Sequence, residues 1–288
     1  MSLRKTLAVA IKPPSSPSSE PTITASDLKV SGVPRPSSGI TFRSRKIRKV
    51  SSVPVDSSLK TRAYPLSSQS SIDLALRHLQ SSDPLIATVI GAHKPPVFGS
   101  SSRPFLSLAR SIIYQQLAIR AAKCIYDRFL SLFDGGEVGV DPSAVLSLST
   151  AQLRQIGVSG RKASYLHDLA EKYINGVLSD ALILEMSDEE LINRLTVVKG
   201  IGVWSVHMFM IFSLHRPDVL PVGDLGVRKG VKDLYGLKEL PGPLQMEQLC
   251  EKWRPYRSVG SWYMWRLMEA KTCSIRKSAV AETSLEPN

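Results

Sequence analysis

Cysteine is scarce in this chain: Cys124, Cys250 and Cys273 are the only three in 288 residues, and they lie far apart. An odd, scattered set argues against a disulfide framework and fits a reducing compartment. It also falls short of the four thiolates that hold an iron–sulfur cluster. Five histidines with no paired Cys/His spacing give no structural zinc pattern. No segment of 18 uninterrupted apolar residues occurs, so neither a membrane-spanning helix nor a membrane partner is expected.

Acidic residues are nearly missing from one region. Residues 1–70 hold 3 Asp/Glu against 12 Lys/Arg, a balance of +9 within a net charge of +12. The same region has 17 Ser, 8 Pro and few large apolar residues. That composition cannot offset the entropy cost of ordering a backbone, so residues 1–70 are expected to form a disordered basic tail. Within it, Arg43-Ser-Arg45-Lys46-Ile-Arg48-Lys49 reads as a nuclear import signal or as a solvated charge run. The N-terminal MSLRKTLAVAIKPPSSPSS, with no acid before Glu20, also suits an organellar transit peptide. A nuclear location is the expectation and an organelle the alternative. A pI near 9.7 points to a polyanionic partner, nucleic acid before membrane, and 43% hydrophobic residues suffice for a sizeable core.

Strand-like alternation of β-branched residues is missing as well, and the expected class is all-α. Ile72, Leu76 and Leu79 share a helical face, and Pro84 and Pro104 sit where first turns accept proline. The run from Pro104 to Phe133 divides into two helices near Gln115-Gln116. Short helices are predicted over 142–147 and 150–156, then a long one through RKASYLHDLAEKYING. Ser187, three acidic residues and a Leu191/Ile192/Leu195 face predict a further helix.

That helix runs into VKGIGVWSVHMFMIFSL, where Gly200 and Gly202 bracket Ile201 ahead of a segment apolar nearly all round. The pattern predicts two helices joined by a tight hairpin, the second one buried. Glycines there let another backbone approach and leave amides exposed beside a helix N-terminus, which attracts phosphate. Taken alone, GxG is more often a packing turn. A second glycine turn, Ile156-Gly-Val-Ser-Gly160, places Arg161 and Lys162 at a helix start, facing a phosphate or water. Beyond the apolar helix, Leu220-Pro-Val-Gly-Asp224-Leu-Gly ends in a carboxylate 22 residues past Gly202, the length of one helix and a return loop. By itself Asp224 is a good N-cap; its spacing brings it back to the hairpin end of a cleft.

Together, VKGIGVWSV and LPVGDLGVRKG resemble the signature of the helix-hairpin-helix (HhH-GPD) DNA glycosylases, and PFLSLARSIIYQQLAIRAA, GVSGRKASYLHDLA and WRPYRSVGSWYMWRLME are most similar to their 3-methyladenine DNA glycosylase II branch. The resemblance spans about residues 71–272. It implies a fold of two helical subdomains, about 103–216 and 71–102 plus 217–275, flanking an active-site cleft, with a disordered tail over 276–288. It implies excision of damaged, above all alkylated, purines from duplex DNA by a monomer, and it assigns Asp224 as the catalytic carboxylate. A carboxylate suits a bond cleavage that places positive charge on the sugar. An N-alkylated purine already carries positive charge and leaves without a general acid.

By the same resemblance Trp204, Trp265 and Met208 line the base pocket, and Gln116 wedges into the duplex once the base is flipped. Lys199, Gly200, Ile201, Gly202, Gly160, Arg161 and Lys162 are the implied DNA contacts; hairpins of the family often bind a monovalent cation on backbone carbonyls, here those of 197–202, and no catalytic metal or organic cofactor is implied. Lyase relatives carry a lysine where this chain has Trp204, so a monofunctional enzyme is implied. Met208 and Leu225 depart from aromatic positions of relatives, which bears on the range of bases accepted. The rival readings are a noncatalytic scaffold, a bifunctional glycosylase/lyase and an RNA-binding helical protein.

Overall fold

The structure is a computed structural model that describes residues 65–99 and 102–283. Among the described residues every regular element is helical. The expected disorder of residues 1–64 and the run Arg43 to Lys49 lie outside the described residues. The remainder of the segment assigned to the tail does not: α1 (Gln69–Ser82) begins at Gln69, capped by a reciprocal Ser68/Ser71 box. Just ahead of it, Leu66 is buried and its amide donates to the carbonyl of His215 at 2.9 Å. The folded unit therefore reaches back to residue 65. At the other end the last helix continues to Thr283, so helical backbone extends well into the 276–288 segment expected as tail.

Start signals written in the sequence place most elements. Asp83 caps α2 (Pro84–Ala92), and Pro104 opens α3 (Pro104–Tyr114), which breaks at Gln115 before α4 (Ile119–Leu130). Asp141, Ser149 and Ser159 cap α5 (Pro142–Ser147), α6 (Thr150–Gln155) and α7 (Gly160–Ile174). A short α8 (Asp180–Glu185) precedes α9 (Asp188–Leu195), whose Ser187/Glu190 capping box is complete. The hairpin leads into α10 (Val203–Phe212), then come α11 (Leu225–Leu234), α12 (Pro243–Leu249), a 3-10 turn over Glu251–Trp253 and α13 (Arg257–Thr283).

The strongest helix pairings fall into two groups. One joins α3 to α4, α7 and α10, α7 to α5 and α6, and α9 to α10; the other joins α11 and α2 to α13, and α1 to α2. Helix α10 buries Val206, Met208, Phe209, Met210 and Ile211, each large apolar side chain contributing roughly 1.5–3 kcal/mol on burial. The connection 213–223 crosses from one group to the other and is fixed on both sides. Arg216 donates to the Met186 carbonyl at 2.7 Å and to Asp188 at 3.3 Å. From α13, Arg257 clamps both oxygens of Asp218, at 2.7 and 3.1 Å. The buried Ser258 hydroxyl donates to the Arg216 carbonyl at 2.6 Å and accepts from the Val219 amide at 2.9 Å. This bracing determines where the connection delivers Asp224.

Candidate active site

Asp224 is the N-cap of α11 and only 5% exposed. Its Oδ1 accepts from the Val227 amide at 2.8 Å and from the Trp265 indole N–H at 2.9 Å. Its Oδ2 accepts from the Trp204 indole N–H at 2.7 Å. Three elements thus meet on one carboxylate: Trp204 from the first turn of α10, Asp224 from the crossing connection and Trp265 from α13. A carboxylate offers about four acceptor sites, so one, on Oδ2, is left for chemistry.

The two tryptophans differ. Trp265 is buried, and its ring packs against Phe212 with centroids 5.7 Å apart. Little of its face is left for stacking a base. Trp204 is half-buried, and Met208, one turn further along α10, lies on the same helical face and is mostly covered. Phe98 and His215 continue the aromatic cluster behind Phe212. Burial lowers the His215 pKa against a weaker raising contribution from the Phe212 carbonyl, which favours a neutral ring. Gly226 makes the Trp265 contact possible. A Cβ there would come within 2.9 Å of the indole Cδ1 and 3.1 Å of Asp224 Oδ1.

At the hairpin, Gly200 has φ +79°, and a Cβ on it would fall 2.1 Å from the Tyr165 ring. Gly202 has φ −99°, caps α10 without a side chain and has open space where its Cβ would be. Ile201 between them is buried and anchors the turn. Asp168, on α7, holds the hairpin from behind. Its Oδ2 accepts from the Lys199 amide at 2.9 Å, while the Lys199 and Lys172 ammonium groups lie 3.4 and 3.7 Å from its Oδ1. Burial alone would raise the Asp168 pKa; the Lys199 amide, the Lys172 charge and the Lys199 side chain together lower it. Of the hairpin carbonyls read for a monovalent cation, that of Gly200 accepts from Gln115 Nε2 at 2.8 Å and that of Val198 from the Ile201 amide at 3.1 Å. A group of three or more His, Cys, Asp or Glu that could hold a metal is absent among the described residues.

The end of α3 and the loop after it are bonded to the hairpin and to the helix that follows the second glycine turn. Gln116 is exposed and has φ +56°, a left-handed backbone uncommon for a residue with a side chain and a frequent mark of a functional position. Its neighbour Gln115 reaches Gly200 as described. Lys162 does not reach outward as expected of a phosphate contact: its ammonium donates to the carbonyls of Ile113 and Gln115 at 2.8 and 2.6 Å. Burial, then the nearby Arg161 charge, lowers its pKa. Arg161 is exposed at the start of α7, beside Gly160, but the left-handed glycine of this turn is Gly157, φ +99°. Asp168, Gly226, Tyr165, Phe212 and Gly157 were not singled out in the sequence, because each acts on a partner distant along the chain or through backbone shape.

Comparison with known proteins agrees with this architecture. The model of the HhH-GPD superfamily of base excision DNA repair proteins matches residues 109–255. The chain belongs to that superfamily. It is 35% identical to DNA-3-methyladenine glycosylase 1 of Schizosaccharomyces pombe over 182 residues, which are 63% of this chain and 79% of the relative. Among solved structures it is similar to the Schizosaccharomyces pombe 3-methyladenine DNA glycosylase in complex with abasic DNA, with TM-score 0.59 and 33% identity over 67% of this chain and 95% of that one. It is also similar to a DNA-3-methyladenine glycosidase of Bacillus halodurans, with TM-score 0.61 and 34% identity over 70% and 90%.

Proposed function

We propose that this protein is a monofunctional DNA glycosylase that removes alkylated purines from duplex DNA by hydrolysing the N-glycosylic bond, the opening step of base-excision repair. The observation that carries the reading is the buried Asp224, held by two indoles and a backbone amide with one acceptor site free. As the glycosylic bond breaks, positive charge grows on the sugar, and a carboxylate at that point, largely screened from bulk solvent, stabilises it. The free site of Oδ2 then orients the water that adds to the anomeric carbon. The relatives named for 3-methyladenine support alkylated bases as the substrate class.

Indole at position 204 supports hydrolysis without strand cleavage, since a Schiff-base lyase needs an amine and Trp204 instead donates to Asp224. Base flipping is supported by the exposed, left-handed Gln116, which suits a wedge taking the vacated space. The Gly200–Gly202 hairpin, with Lys199 67% exposed, suits contact with the phosphates beside the lesion. The run from Arg43 to Lys49 supports a nuclear location.

Single-turnover release from duplexes carrying one 7-methylguanine or 3-methyladenine tests this. Wild type is expected to leave abasic sites that break only after alkali, and Asp224→Asn to lose the activity while still binding duplex. Strand breaks without alkali would exclude the monofunctional reading. A folded wild type that binds duplex and releases no base would exclude the enzyme.

A further inference from the structure

The three donors on Asp224 are all neutral. A lysine or arginine beside the carboxylate would also orient it, but would cancel the negative charge that the sugar needs opposite it in the transition state. Indole and backbone N–H groups restrain the oxygens and leave the full charge in place. Each indole takes a different oxygen, so together they fix the rotation of the carboxylate about its Cβ–Cγ bond. Gly226 belongs to the same device, because any side chain at that position would push the Trp265 ring off Oδ1. Phe212 packs against the Trp265 ring and holds it in place.

We propose that Trp265 and Trp204 are positioning residues acting through Asp224: their N–H groups, one to each oxygen, set its rotation and deliver an uncancelled charge through the single free site of Oδ2. This rests on the glycosylase reading. It differs from a stacking role in what it asks of the side chain. Stacking needs an aromatic face, which phenylalanine supplies; positioning needs an N–H donor, which phenylalanine lacks. The substitutions Trp265→Phe and Trp204→Phe separate the two.

Each variant is expected to slow single-turnover release of 7-methylguanine roughly 10- to 100-fold, the worth of one hydrogen bond to a charged group, with duplex affinity unchanged. Gly226→Ala should slow release to a similar degree. Combined with Trp265→Phe it should add little, since both break the same contact. Should Trp265→Phe not fold, the half-buried Trp204→Phe decides the matter. Rates near wild type in both phenylalanine variants overturn the proposal and leave the glycosylase reading intact.

A second readout does not need activity. In ¹⁵N-labelled protein the Trp204 and Trp265 indole protons should resonate downfield, and both should move in Asp224→Asn. Indole signals indifferent to that substitution overturn the proposal even if wild type releases no base, the result that would sink the glycosylase reading instead.

Discussion

Gly200 and Gly202 stand two residues apart and answer to different constraints. Gly200 needs both its left-handed backbone and the missing Cβ, because Tyr165 occupies that space. Gly200→Ala is expected to destabilise the protein by about 1–3 kcal/mol in urea unfolding. Gly202 has neither constraint. Gly202→Ala should cost at most about 1 kcal/mol, the preference for glycine over alanine at an N-cap, and still weaken duplex binding, if its bare amide is what a phosphate meets. The two lysines of the glycine turns divide in the same way. Lys199→Met should reduce the slope of log affinity against log salt by about one, the signature of a lost phosphate contact. Lys162→Met should barely change that slope and instead lower stability by about 1–3 kcal/mol, since two carbonyls lose their donor.

Residue types at the site were legible, but their contacts were not. Asp224, Trp204 and Trp265 stand out through motif resemblance, yet nothing in their spacing reveals that both indoles point their nitrogen at the same carboxylate. Lys162 reads as a phosphate ligand for the same reason: a cation at a helix start looks alike whether it faces solvent or a neighbouring helix end.

Among the elements, α2 depends on one buried charge. Asp83 caps it and is fully buried; Oδ1 accepts from the Leu85 amide at 3.1 Å, while Oδ2 takes the Tyr235 hydroxyl at 2.5 Å and the Trp253 indole at 2.9 Å. Lys252 lies 3.4 Å away. Burial alone would raise the Asp83 pKa, but these bonds and the Lys252 charge outweigh it and the net shift is downward. A carboxylate whose folded pKa lies below its unfolded value contributes stability above the unfolded value, near 3.8, and loses it as pH falls through the folded one. Asp83→Asn should therefore cost about 1–3 kcal/mol at neutral pH and flatten the loss of stability below about pH 4, as read by urea unfolding across pH.

Helices with a cap and a periodic face, such as α9 behind Ser187, could be placed from sequence alone. The short α8 and α12 were not placed, although Ser179 and Pro243 mark their starts, whereas the equally short α5 and α6 were. The far end of α13 was missed because an Ala-, Lys- and Ser-bearing terminus with little apolar periodicity reads as a tail.

On the scale of the whole molecule, charge and chemistry are separated along the chain. Residues 1–70 carry +9, and every proposed site residue lies beyond them. Removing residues 1–64 is expected to flatten the salt dependence of duplex affinity while leaving single-turnover release at saturating enzyme unchanged. Within the folded part, the loop bearing Gln116 is tied by Gln115 to one glycine turn and by Lys162 to the helix that follows the other. If Gln116 is the wedge and the hairpin the phosphate contact, as proposed, the two are joined through these three bonds. On that reading, sliding along DNA and testing each step for a loose base would become one stroke, and a lesion would be found by how readily the duplex yields to it.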